Sequence, residues 1–76
     1  MKDLIMHMAQ ALVDQPERVK VFVVDGGHTS IFELRVAKED VGKVIGREGR
    51  TAKAMRTIVS AASSKQRKNS LLEIMD

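Results

Sequence analysis

Val41-Gly42-Lys43-Val44-Ile45-Gly46-Arg47-Glu48-Gly49-Arg50 decides how this chain folds. Two glycines three apart, Gly46 and Gly49, separate a short apolar patch (Val41, Val44, Ile45) from a longer segment, Arg50 to about Ser64, with Met55, Ile58, Val59 and Ala62 on one side of a helix. The spacing predicts a helix of little more than one turn closed by Gly46, a G-x-x-G turn, and a second, longer helix. Glycine takes positive φ readily and has no Cβ, so such a turn lets a ligand chain approach bare backbone. The amides that open the second helix favour an anion, and Arg47, Arg50, Lys53 and Arg56 add positive charge along the same side.

Upstream, Asp3 to Val13 reads as a helix with Leu4, Ile5, Met8, Ala11 and Leu12 at helical spacing and Asp3 as its N-cap. Asp14-Gln15-Pro16 ends it, because proline drives its predecessor out of helical angles. Val19 to Val24 is rich in β-branched residues and reads as a strand, and Asp25-Gly26-Gly27-His28 has the chemistry of a hairpin turn. The return strand, about Thr29 to Ala37, alternates Phe32, Leu34 and Val36 with Glu33 and Arg35, the period of a sheet with one buried face. Downstream of the long helix, Gln66-Arg67-Lys68-Asn69 reads as a loop, and Ser70 to Met75 as a last strand with Leu72 and Ile74 facing the same way. The order is helix, strand, strand, helix, helix, strand. Two helices between the second and third strands make a crossover that suits parallel neighbours. The expected class is α+β, two layers, with a three-stranded sheet packed on helices.

With 76 residues the chain holds one core, of a size that profits from a partner, so one domain over residues 1–76 is expected. There is no cysteine, and His7 and His28 lie far apart, which excludes disulfides and thiolate sites and gives no ground for a bound metal or cofactor. No apolar run approaches the roughly 18 residues a membrane span needs, and the opening stretch lacks signal-peptide character. A cytoplasmic location without membrane association is expected. The net charge of +3 is unevenly spread. Residues 43–68 hold eight basic residues against Glu48 alone, a net +7, and the remainder holds five basic against nine acidic, a net −4. Segregation of this kind suits one face that meets a polyanion. Phe22 and Phe32 are the only aromatic residues, too few for a platform that works by stacking bases on rings.

Rival chemistries fail on the same letters. A Walker phosphate loop needs Gly-Lys followed by Ser or Thr, whereas Gly46 is followed by Arg47-Glu48. A dinucleotide fingerprint belongs at the end of a first strand and not after a short helix. Ser60, Ser63 and Ser64 lie on or near one helix with no histidine predictably beside them, so no nucleophile–base pairing and no enzyme is expected. By spacing alone, Gly46 and Gly49 serve equally well as the cap and turn that join two helices.

Val-Ile-Gly-Arg-Glu-Gly-Arg-Thr-Ala-Lys-Ala-Met-Arg, residues 44–56, resembles the signature of KH domains, which bind RNA with a G-x-x-G loop that clamps about four nucleotides of backbone. Length, the initial helix, the Val41-Gly42-Lys43 lead-in and the position of the last strand resemble the KhpA-type small bacterial single-KH proteins over residues 2–76. The resemblance implies a type II KH fold, α-β-β-α-α-β, with the loop before the last strand as its variable loop. It implies single-stranded RNA as ligand, held by Gly46, Arg47, Gly49, Arg50 and Lys53, with Lys43 nearby and Ile45 on an apolar groove floor. Arg67 and Lys68 would reach the RNA from the far wall. Glu48 puts a carboxylate among phosphates, which weakens binding unless its side chain turns outward. A post-transcriptional regulator or RNA chaperone is the expected role, DNA being the weaker variant. The alternative is a scaffold subunit that docks a partner KH protein. Ala54, Thr57, Ala61 and Ser64 recur at helical spacing and are small enough for two helices to approach, so a homodimer, or a heterodimer with another KH protein, is expected.

Overall fold

The computed structural model describes residues 1–75. Its elements are α1 (Lys2–Leu12), β1 (Lys20–Asp25), β2 (Thr29–Arg35), α2 (Val41–Ile45), α3 (Arg50–Lys65) and β3 (Asn69–Met75), with single 3₁₀ turns at Pro16–Arg18, Lys38–Asp40 and Arg47–Gly49. The sheet order is β1-β2-β3, with β1 antiparallel to β2 and β3 parallel to it. Both the α+β class and the parallel crossover agree with the sequence.

Register explains the core. Val21 lies opposite Leu34, and Phe32 opposite Leu72, and all four point to the helix-covered face, where Ile5, Ala9, Val44, Met55 and Val59 close over them. The other sheet face stays open, with Phe22, Val24 and Leu71 about half exposed. There the Arg35 guanidinium lies 5.8 Å from the Phe22 ring centroid, a cation–π contact that shields part of the ring. On α3 the buried positions are Ala52, Met55, Val59 and Ser63, a stripe of i+3 and i+4 steps. Ser63 is tolerated there because its hydroxyl donates to the Val59 carbonyl at 2.8 Å.

Three local expectations change. Ile58, expected in the core, is 45% exposed because it lies one residue off the stripe. On α1 the residues that reach the sheet are Ile5 and Ala9, while Leu4, Ala11 and Leu12 are exposed. Apolar residues cover more than one face of that short helix, and the small Ala9 lets the helix settle on the Ile5–Ala9 side. Asp3 is not the cap: α1 starts at Lys2, so Asp3 sits in the first turn, where its charge complements the helix dipole. Among the described residues no helix is long and apolar enough to cross a membrane.

Candidate nucleic-acid interface

The G-x-x-G loop is built by two glycines with different tasks. Gly46 ends α2, its N–H donating to the Gly42 carbonyl at 2.8 Å, and it adopts φ 77°, ψ 173°. That region belongs almost entirely to glycine. A methyl group at position 46 would also collide with the Thr51 hydroxyl, lying 2.7 Å from the Thr51 Cβ and 3.0 Å from its backbone nitrogen. Gly46 is thus needed for the loop to fold back on the first turn of α3. Gly49 has φ 73°, and its N–H donates to the Gly46 carbonyl at 3.1 Å, but a Cβ there would meet nothing within 4 Å. The backbone at Gly49 is therefore open to an approaching chain. Glu48, between them, adopts φ 57°, ψ 25°, a left-handed conformation uncommon for a side chain of its size. Its carboxylate is 71% exposed and pairs with the Arg50 guanidinium at 3.5 Å, so it is turned outward.

The basic candidates divide by what they already touch. Lys43 donates to the Asp14 carboxylate at 2.7 Å and lies 3.5 Å from Asp40. Asp40, 1% exposed, accepts the backbone amides of Asp14 at 3.3 Å and Gln15 at 3.0 Å. Burial works to raise the Asp40 pKa, yet those two amides and the Lys43 ammonium outweigh it and hold the carboxyl below its ordinary value. The hydrogen bond to Asp14, opposed by partial burial and aided by attraction to both carboxylates, raises the Lys43 pKa. This cluster ties the α1–β1 connection to the base of α2, the helix that delivers Gly46. Nothing at the sequence level singles it out except the i,i+3 spacing of Asp40 and Lys43. Arg56 leans toward the sheet, where its Nε donates to the Leu72 carbonyl at 3.2 Å. Lys68 lies 3.5 Å from Asp25. Among the described residues, Arg47, Lys53 and Arg67 have no carboxylate within 4.0 Å, and all three are exposed.

An open groove runs between α3 and the outer edge of β3, lined by Arg56, Ser60, Ser70, Leu71, Leu72 and Glu73. Its far end is the turn after α3, where the Lys68 N–H meets the Ser63 carbonyl and the Arg67 N–H the Ser64 carbonyl, at 3.2 and 3.1 Å. This is a Schellman closure with Arg67, at φ 55°, in the position glycine usually takes. Ile45, 38% exposed, borders the loop end. Arg47, Gly49, Arg50 and Lys53 thus lie at or before the first turn of α3, and Arg67 and Lys68 follow its last turn. Ala54, Thr57, Ala61 and Ser64 are all exposed on α3. Ser64 also borders the groove's far end, and the Thr57 hydroxyl is spent on the Lys53 carbonyl at 3.0 Å. Ser60 and Ser70, which face each other across the groove, carry no sequence signal that links them.

Comparison with known proteins shows the family. The family described as KhpA/KhpB, KH domain, matches residues 2–74. The RNA-binding protein KhpA of Halalkalibacterium halodurans is 51% identical over 76 residues, all of both chains. That of Chlamydia caviae is 49% identical over 76 residues, 100% of this chain and 97% of the relative. That of Clostridium perfringens is 51% identical over 75 residues, 99% of this chain and 100% of the relative. No solved structure matches. With a family match across nearly every residue, and relatives of the same length at about half identity, this chain belongs to the KhpA/KhpB KH-domain family.

Proposed function

We propose that this chain binds single-stranded RNA, with the sugar-phosphate backbone against Gly46–Gly49 and the first turns of α3, and serves in the cytoplasm as a post-transcriptional regulator or RNA chaperone. The observation that carries this reading is the open backbone at Gly49 flanked by Arg47 and Lys53, two cations with no carboxylate partner among the described residues. Phosphate is attracted to such a place, and Arg50 can leave its exposed Glu48 partner, since exposed pairs contribute little. Lys43, held between Asp14 and Asp40, acts mainly by supporting the loop. Relatives named as RNA-binding proteins support the choice of ligand.

The test is Arg47→Asp combined with Glu48→Asp, which places two acids where phosphate must sit. A mobility-shift assay should show loss of binding to single-stranded RNA in a variant whose circular dichroism is unchanged. Undiminished affinity would remove the loop from the mechanism and favour a scaffold role.

The chain also acts as a pair, a homodimer or a heterodimer with another KH protein, through the exposed Ala54, Thr57, Ala61 and Ser64 on α3. Two linked modules gain avidity that one small domain lacks. Sedimentation should show a dimer that Ala61→Glu separates, and a strict monomer at high micromolar concentration would refute the homodimer.

A further inference from the structure

At the variable-loop end of α3, a cleft of about 320 Å³ opens between the helix and the start of β3. Ser60 and Ser64 line it from α3, Asn69 and Ser70 from β3, and Thr29 from β2, with Lys68 at the rim. Two consecutive elements, α3 and β3, and the distant start of β2 therefore place short polar side chains around one space. Neighbouring hydroxyls are already used: Ser63 donates to the Val59 carbonyl and Thr57 to that of Lys53. Those of Ser60, Ser64, Ser70 and Thr29 have no such side-chain bond among the described residues.

The lining selects the chemistry of what enters. Lys68 at the rim is the one cation that lines the cleft, and Asp25, 3.5 Å from it, sets a carboxylate beside it that opposes a phosphate. No ring lines the space, so stacking of a base has no platform. What remains is a set of hydroxyls, each with one donor and two acceptor lone pairs, together with an amide. The complementary group is another alcohol, which donates and accepts in the same way. The cleft is also continuous with the groove, because Ser60, Ser70 and Leu71 line both. From Arg50 to Ser60 the helix rises about 15 Å, which keeps the cleft within the stretch of strand, about four nucleotides, that a G-x-x-G loop serves.

We propose that this cleft reads the ribose 2′-hydroxyl of a bound nucleotide, so that the chain selects RNA over DNA of the same sequence. The proposal rests on the RNA-binding reading above and extends it to the far end of the groove. The 2′-hydroxyl is the group that lets a protein tell the two nucleic acids apart at a given position. Loss of one or two neutral hydrogen bonds corresponds to an affinity change of about two- to tenfold.

Equilibrium binding of the full chain to a short single-stranded RNA, to DNA of the same sequence, and to RNA with one 2′-deoxy nucleotide at successive positions tests it. RNA should bind about two- to tenfold more tightly than DNA, and one deoxy position should account for most of that difference. Ser60→Ala with Ser70→Ala should lower RNA affinity more than DNA affinity, so that the preference for RNA is lost, and leave the thermal midpoint unchanged. Equal affinity of the unmodified chain for RNA and DNA overturns the proposal while leaving the loop intact as a binding site. So does a double variant that keeps its RNA preference or loses both affinities alike. The deoxy series uses the unmodified chain, so it decides the question even if the double variant folds poorly. Failure of the unmodified chain to bind either nucleic acid overturns the RNA-binding reading and this proposal with it.

Discussion

Alanine at position 46 should cost far more than alanine at position 49, although both glycines have positive φ. At Gly49 the added methyl meets open space, so the cost is conformational: about 1–2 kcal/mol for a left-handed L-residue, offset by about 0.4–1 kcal/mol because alanine stiffens the unfolded chain. A net loss of about 1 kcal/mol lowers the midpoint of a domain of this size by about 4–8 °C. At Gly46 the backbone lies in a region costing up to about 3 kcal/mol, and overlap with the Thr51 side chain adds about 1–3 kcal/mol of overpacking. A total of about 3 kcal/mol or more shifts the midpoint by at least about 12 °C. Thermal and urea unfolding by circular dichroism measure both. Adding Thr51→Ala should recover only part of the Gly46→Ala loss, because the Cβ at 2.7 Å and the backbone nitrogen at 3.0 Å remain. Equal losses at the two positions, or full recovery by Thr51→Ala, would refute the steric division of labour. Gly49→Ala should fold and still bind RNA less well, because its methyl points to where the strand approaches.

Asp40 has a lowered pKa, so its contribution to stability is present in full above its ordinary value of 3.8 and is lost as pH falls through the lower folded value. Asp40→Asn should therefore be less stable than the unmodified chain at neutral pH, with the gap in urea midpoints closing on acidification below 3.8; a gap that does not depend on pH would contradict the assignment. Arg67→Gly should remove a left-handed arginine and raise stability by about 1 kcal/mol, seen as a higher thermal midpoint, while weakening RNA binding by loss of one cation. A lower midpoint would show that the Arg67 side chain has packing the Schellman geometry does not reveal.

What periodicity could give, and what it could not, separates at particular residues. The alternation of Phe32, Leu34 and Val36, the Asp25–His28 turn and the two-helix crossover are properties of one segment or of its length, and all three stand in the structure. Ile58 and Leu4 show the limit: periodicity states which residues share a helix face, whereas the neighbour decides which of two apolar faces is covered. Partnerships across 26 or more residues, such as Asp40 with Asp14 and Lys43 with Asp14, have no local signature. The left-handed conformations of Glu48 and Arg67 were equally hidden, since neither residue type prefers them. The groove-facing serines on α3 and β3 belong to the same class, because they meet only once the sheet is assembled.

The charge of the 43–68 segment is the place where counting residues and examining their contacts differ most in consequence. Eight basic residues stand there in sequence. If all eight met phosphate, log K against log salt would fall with a slope of about −5.6 for a single strand. In the structure, however, Lys43 serves Asp14 and Asp40, Lys68 faces Asp25, Arg56 is bonded to the Leu72 carbonyl, and Arg50 lies against Glu48. Among the described residues, Arg47, Lys53, Lys65 and Arg67 have no such partner. A cation held by a carboxylate releases little counterion on binding and Arg56 is turned to the sheet, so these four, together with Arg50 once it leaves the exposed Glu48, give an expected slope of about −3.5. Titrations of a single-stranded RNA at several monovalent salt concentrations measure it directly. A slope of about −5 or steeper would mean that binding also breaks the Lys43 and Lys68 pairs, and that the RNA-bound surface differs from the one described.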